Sequence, residues 1–203
     1  EWKKLVQRIV EPSKEVHIAI VGKYVDIGDY SLSDSYLSYN QSLIHAGAAL
    51  DVKVKIDWID SKQFESGKPI SDLKKYNGIL VPGGFGNSGV EGKIKAVQYA
   101  RENKIPYLGI CYGMQLAIVE FARNVCGMKN ANTTEVDPDT QYPVIDILPT
   151  QKDVIKDSDY GGTMRLGAYA AVLQESSKVL QLYKDTGRYE EDQDRLKELQ
   201  KDK

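Results

Sequence analysis

Pro106-Tyr107-Leu108-Gly109-Ile110-Cys111-Tyr112-Gly113 carries an apolar strand pattern into the start of a helical one, with a single cysteine between two glycines at the join. A chain builds a nucleophile elbow in this way. The nucleophile sits on a tight turn that exposes its side chain at the sheet edge, and small neighbours are required because bulkier ones would clash. The helix expected over residues 113–125 would direct its N-terminus at Cys111, and its dipole would favour thiolate over thiol. The bland alternative is a buried structural cysteine beside two turn glycines, the commoner fate of a free thiol.

Working outward, residues 16–21 form a nearly unbroken apolar run ending at Gly22, as expected of a strand buried on both faces of a parallel sheet. Ser33 and Asp34 are candidate caps for a helix through Tyr36, Leu37, Leu43 and Ile44 that stops at Gly47. Residues 52–59 alternate as a second strand, and Ile79-Leu80-Val81 is a third that breaks at Pro82-Gly83-Gly84. Residues 90–101 read as helix, and residues 106–110 as the fourth strand. This rhythm predicts an α/β fold, a mostly parallel central sheet flanked by helices, with ligands gathering at the carboxyl ends of strands. Both glycine-rich turns fall at such ends.

Past residue 125 the rhythm changes. Residues 130–142 read as a polar loop, 144–148 as a strand, 151–159 as a charged loop and 168–173 as an outer strand. Residues 194–203 pair acids and bases at helical intervals with only Leu196 and Leu199 to pack, which suits a solvated helix or frayed tail. At the other end, Trp2, Leu5, Val6 and Ile9 lie at helical spacing before Pro12, as in a helix that links to a preceding domain. The expected organisation is therefore a linker over 1–14, one domain over 15–183 and a charged tail over 184–203.

The 27 basic residues nearly balance the 29 acidic ones, so no field large enough to make nucleic acid or an anionic membrane the main partner arises. Two cysteines, Cys111 and Cys126, stand at opposite ends of one expected helix, too far apart to bridge. A reducing, cytoplasmic setting follows as the expectation. No apolar stretch of membrane-spanning length occurs, and nothing in the sequence suggests a metal site.

A cysteine that attacks an amide needs an oxyanion hole, and backbone N–H groups make the best one. Pro82-Gly83-Gly84-Phe85-Gly86 supplies them on the strand next to the elbow, and the N–H of Tyr112 would be the second donor. Four motifs extend this pattern: Val81-Pro82-Gly83-Gly84-Phe85-Gly86, Gly109-Ile110-Cys111-Tyr112-Gly113-Met114-Gln115, Ala131-Asn132-Thr133-Thr134-Glu135 and Gly161-Gly162-Thr163-Met164-Arg165-Leu166-Gly167. With Val21-Gly22-Lys23-Tyr24, they resemble the triad-type (class I) glutamine amidotransferase domain of the CTP synthase family, across residues 11–183.

The resemblance implies a flavodoxin-like sheet, incomplete toward the C-terminus, and a glutaminase. Cys111 would be the nucleophile, Gly84 and Tyr112 the oxyanion hole, and Gly83, Gly84, Phe85, Gln115 and Glu135 the glutamine site, with Glu135 on the α-amino group. It implies no cofactor in this domain. ATP and Mg belong to an upstream synthase domain that aminates UTP, in an enzyme that assembles as a homotetramer. Three features depart from the family. The only histidines, His17 and His45, are not followed two residues later by Glu, so the His and Glu that complete the triad are missing. The basic segment expected to contact the α-carboxylate of glutamine is missing too. Ser88 stands where relatives carry Arg in a loop tied to GTP activation, which leaves GTP in doubt as an activator. The expectation is a glutaminase domain cut before its triad is complete and without turnover by itself. The alternative is a non-catalytic assembly or regulatory domain of the same fold.

Overall fold

The computed structural model describes residues 2–23, 26–27, 30–31, 36–149 and 171–201. Tyr24, the candidate caps Ser33 and Asp34, the charged loop expected at 151–159, the 161–167 motif and residues 168–170 of the expected outer strand lie outside the described residues, and residues 171–173 of that expected strand are not strand. The chain divides into two compact units at Leu148.

The first unit begins with helix α1 (Trp2–Val10), none of whose residues is buried, and strand β1 (Lys14–Gly22). A short antiparallel pair, β2 (Asp26–Ile27) and β3 (Tyr30–Ser31), precedes helix α2 (Leu37–Leu50). Strand β4 (Val52–Asp60), helix α3 (Lys62–Glu65), a tight 3-10 turn (Ile70–Lys75) and strand β5 (Gly78–Val81) follow. Helix α4 (Val90–Glu102), strand β6 (Tyr107–Gly109) and helix α5 (Tyr112–Asn124) complete the main layers. A separate parallel pair, β7 (Ala131–Thr133) and β8 (Tyr142–Ile145), closes the unit.

The central sheet is wholly parallel in the order β4-β1-β5-β6. From β1 the chain first steps to one side, to β4, and then to the other, to β5 and β6. The carboxyl ends of β1 and β5 therefore flank a topological switch point, where such sheets place ligands. Residues 19–21 of β1 and all four residues of β5 are buried, which is why both read as uninterrupted apolar runs. Val21, Ile79 and Val81 pack with Leu73, Phe64, Ala96 and Ala100, while Val90, Ile94, Leu116, Val119 and Tyr112 form a second core between α4 and α5. Each of the fully buried aliphatic side chains contributes about 1.5–3 kcal/mol.

Three expectations are corrected. Gly47 does not end α2, which runs on to Leu50 and stops at Asp51 with φ 55°. Gly47 is instead a packing glycine, since a Cβ there would lie 2.5 Å from the Val52 carbonyl oxygen. Residues 130–142 are not all loop, because Ala131–Thr133 is a strand, buried throughout. The strand expected at 144–148 begins earlier, at Tyr142, where it pairs with Ala131.

In the second unit, helix α6 (Lys178–Asp185) is capped by Ser177, whose hydroxyl accepts from the Leu180 N–H at 3.2 Å. Helix α7 (Arg188–Lys201) is the solvated helix its charges predict, with Arg188 paired to Glu191 and Asp192 and Lys197 to Asp194.

Candidate functional site

Cys111 stands between the end of β6 and the first residue of α5, at φ 54° and ψ −109°. An L-residue rarely adopts that backbone, and the surrounding bonds hold it there. Ile110 N–H donates to the Val81 carbonyl at 3.0 Å, Gly113 N–H to Ile110 at 3.0 Å and Gln115 N–H to the Cys111 carbonyl at 3.1 Å. The glycines do what the elbow needs. A Cβ on Gly113 would sit 2.1 Å from the Val81 carbonyl oxygen, and one on Gly109 would sit 2.7 Å from the backbone of Gly113. Only bare backbone lets α5 approach β5 this closely, and that approach lifts the Cys111 side chain into solvent.

The Pro82–Gly86 turn faces the elbow from the end of β5. A Cβ on Gly83 would lie 3.4 Å from the Cys111 Cβ, so turn and nucleophile are in van der Waals reach. The Gly83 N–H donates to the Tyr39 hydroxyl at 3.0 Å, and the Gly86 N–H donates to Glu135 Oε1 at 2.6 Å. Those bonds occupy the glycines on either side of Gly84 and Phe85, while the Gly84 N–H has no partner among the described residues. An unpaired N–H one residue from the glycine that lies against Cys111 is the kind of donor an oxyanion would use. The Tyr112 ring is buried, and its hydroxyl donates to the Gly86 carbonyl at 3.0 Å. Burial, with the Glu135 charge adding to it, pushes that phenol up to about 12, so it remains a donor throughout the neutral range.

Glu135 is thus brought from β7's far end to the turn, with one carboxylate oxygen committed to Gly86. Phe85 is 71 % exposed, so its ring is not part of the core. Gln115 lies one helical turn beyond Cys111 on α5 and is half-buried. Cys111, Gly83, Gly84, Phe85, Tyr112 and Glu135 therefore converge, while the histidines do not. His17 is five residues before the end of β1, roughly 16 Å down the strand from the site's end of the sheet, with Nε2 3.0 Å from Glu15 Oε1. His45 is exposed on α2.

Three residues join the site that a reading of motifs for chemistry passed over. Tyr39 reaches it from α2. Lys23 Nζ donates to the Phe85 carbonyl at 3.0 Å, and Lys93 lies beneath Gly84. Lys23 belongs to a quoted motif, so its position was signalled; Lys93 sits in an ordinary helical stretch and was not. Among the described residues no group of three or more His, Cys, Asp or Glu could hold a metal ion, and no helix is long and apolar enough to cross a membrane.

The family model "Glutamine amidotransferase class-I" matches residues 31–196. The chain belongs to the class I glutamine amidotransferase family. Its parallel sheet flanked by helices is the architecture of that family, and within it this amidotransferase is of the CTP synthase type. It is 55% identical over 189 residues to the CTP synthase of Methanocaldococcus jannaschii, covering 90% of this chain and 34% of that protein. The CTP synthase of Desulfitobacterium hafniense is 55% identical over 190 residues, covering 94% of this chain and 34% of that protein. The chain thus spans about a third of the length of these relatives. Among solved structures, the glutaminase domain of Trypanosoma brucei CTPS with bound acivicin matches at a TM-score of 0.66 and 34% identity, over 83% of this chain and 62% of that one.

Proposed function

We propose that this amidotransferase is the glutamine-hydrolysing part of a CTP synthase, with Cys111 as nucleophile. The observation that carries the reading is the juxtaposition of an exposed thiol on a strained elbow with the glycine turn, whose Gly83 lies against Cys111 and whose next residue, Gly84, has an N–H without a partner among the described residues. Cys111 Sγ attacks the side-chain carboxamide carbon of glutamine, and the oxyanion settles between the N–H groups of Gly84 and Tyr112. The C–N bond then breaks, the nitrogen leaves as ammonia with the thiol's proton added to its own two, and a γ-glutamyl thioester remains for water to hydrolyse. Glu135 offers its second oxygen to the substrate's α-amino group, and Phe85 and Gln115 border the bound side chain.

Ammonia would pass to a synthase portion that carries ATP, Mg and UTP, in a cytoplasmic homotetramer. That the matched relatives are three times longer than this chain supports a partner domain of this kind. Departure of ammonia needs a proton carrier. His17 and His45 are held elsewhere in the fold, so the 203-residue chain is expected to show negligible steady-state glutamine hydrolysis. The same observation favours a second reading, a domain kept for assembly or for gating a synthase.

Intact-mass analysis after exposure to acivicin separates the two. One adduct, lost in Cys111→Ala, supports the glutaminase. Absence of an adduct, while iodoacetamide still reaches Cys111, supports the non-catalytic domain.

A further inference from the structure

Lys93 is the fourth residue of α4, and its side chain is 1% exposed. Cα–Cβ bonds in a helix tilt toward the N-terminus, so this ammonium is carried back to the end of α4 where the helix dipole is itself positive. A buried cation in such a place ordinarily has a carboxylate against it. Lys93 has none within salt-bridge distance among the described residues, and its Nζ makes no hydrogen bond there. What it touches is the reaction site. Nζ is 5.4 Å from the centroid of the Tyr112 ring, and a Cβ on Gly84 would lie 3.8 Å from it. Gly84 and Tyr112 are the two residues whose N–H groups are assigned to the oxyanion, and Gly83, one peptide away, touches Cys111.

We infer that Lys93 is a positioning residue for negative charge: its ammonium, fixed behind Gly84 and Tyr112, supplies the positive potential that the Cys111 thiolate and the tetrahedral oxyanion neutralise. The inference rests on the glutaminase reading above. A preorganised charge of this kind costs no reorganisation during reaction, and a dry setting strengthens it. Removal of its counter-charge from the resting site is then a functional arrangement, because a permanent carboxylate beside Nζ would cancel the field that the reaction uses. The other charged groups that face Lys93 are Lys23 from the loop after β1, Asp60 at the end of β4 and Glu65 on α3, and none of them is within ion-pair distance. Burial, with the Lys23 charge adding to it, lowers the ammonium to about 8, so it stays mainly charged at neutral pH.

The test is the pH dependence of Cys111 modification in the 203-residue chain, measured by intact mass with both iodoacetamide and acivicin, in wild type, Lys93→Met, Lys93→Gln and Lys93→Arg. The neutral variants are expected to raise the pH midpoint of iodoacetamide labelling by about half a unit to one unit and to slow acivicin labelling about 3- to 10-fold at pH 7. Lys93→Arg is expected to keep the wild-type midpoint. A midpoint unchanged in folded Lys93→Met or Lys93→Gln overturns the inference, as does failure of both neutral variants to fold, which would make the ammonium structural. Wild type that takes iodoacetamide but never acivicin would instead defeat the glutaminase reading and leave the electrostatic result to be read from iodoacetamide alone.

Discussion

Replacing Cys111 with glycine should make the protein more stable while removing its nucleophile. At φ 54° and ψ −109° the residue is outside the left-handed helical well, in a region that costs a non-glycine residue about 1–3 kcal/mol. Glycine removes that strain but brings about 0.5–1 kcal/mol of extra backbone entropy to the unfolded chain, so a net gain of about 0.5–2 kcal/mol remains. Alanine is the control. It keeps the Cβ and therefore the strain, and the thiol it removes is exposed and has little packing to lose. Cys111→Ala should stay within about 0.5 kcal/mol of wild type. Urea denaturation followed by fluorescence suits the measurement, since Trp58 stacks on Tyr36 at 4.6 Å in the same unit as the elbow. The quantity that matters is the difference between the two variants. A Gly variant no more stable than the Ala variant would show that the elbow stores no strain, and the argument for a backbone-held nucleophile would fall.

Gly113→Ala should cost about 2–4 kcal/mol in the same assay, because its Cβ would meet the Val81 carbonyl oxygen at 2.1 Å, and the roughly 1 Å retreat of α5 should slow acivicin labelling about 100-fold. Arg101→Met leaves Glu120, 1% exposed and held by Arg101 at 2.7 Å, with only the Asn124 amide, at a cost of about 3 kcal/mol; Arg101→Met with Glu120→Leu should recover most of it in denaturant titrations. Between pH 8 and 10 stability should rise, by up to about 3 kcal/mol, since unfolded Lys93 binds a proton that folded Lys93, with its ammonium lowered to about 8, has released. Above about pH 10 the trend should reverse, because unfolded tyrosines lose protons that buried Tyr76 and Tyr112 and half-buried Tyr107 retain; melting curves of wild type and Lys93→Met across this range check both limbs, and the rise should be absent from the variant. Cys111 should react with iodoacetamide faster than Cys126, and peptide mapping at partial labelling reads the ratio. Both thiols are exposed, so exposure does not set the difference; the N-terminus of α5 and the Lys93 ammonium both favour a thiolate at Cys111 and neither acts at Cys126, beyond the other end of α5.

The sheet was legible because burial on both faces leaves an uninterrupted apolar run, as in residues 79–81, and because glycine pairs mark where strands give way to turns. The elbow was legible for the same local reason. Gly47 misled because a glycine near a helix end reads as a stop, whereas here it makes room for the Val52 carbonyl, a contact made by the strand that follows. Ala131–Thr133 reads as loop because three residues with two polar ones carry no period, and its burial is conferred by β8 and α5. At the site, the bonds from Gly83 to Tyr39 and from Gly86 to Glu135 span 44 and 49 residues and have no local signature. Lys93 was hidden by its own chemistry: a lysine in a mixed helix reads as solvated, and only the packing of α4 against the turn shows that it is not.

Gly86 is gripped at both ends of its backbone, its N–H by Glu135 and its carbonyl by the Tyr112 hydroxyl. Three stretches of chain that are distant in sequence are thereby riveted to a single residue. A disturbance arriving along α5 or along the strand that leads to Glu135 must shift the Pro82–Gly86 turn and the elbow together, as one plate. Signals of that kind would change how well the pocket fits a charged intermediate more than how readily its mouth opens, so they would register in the speed of acylation and hardly in the occupancy of the site.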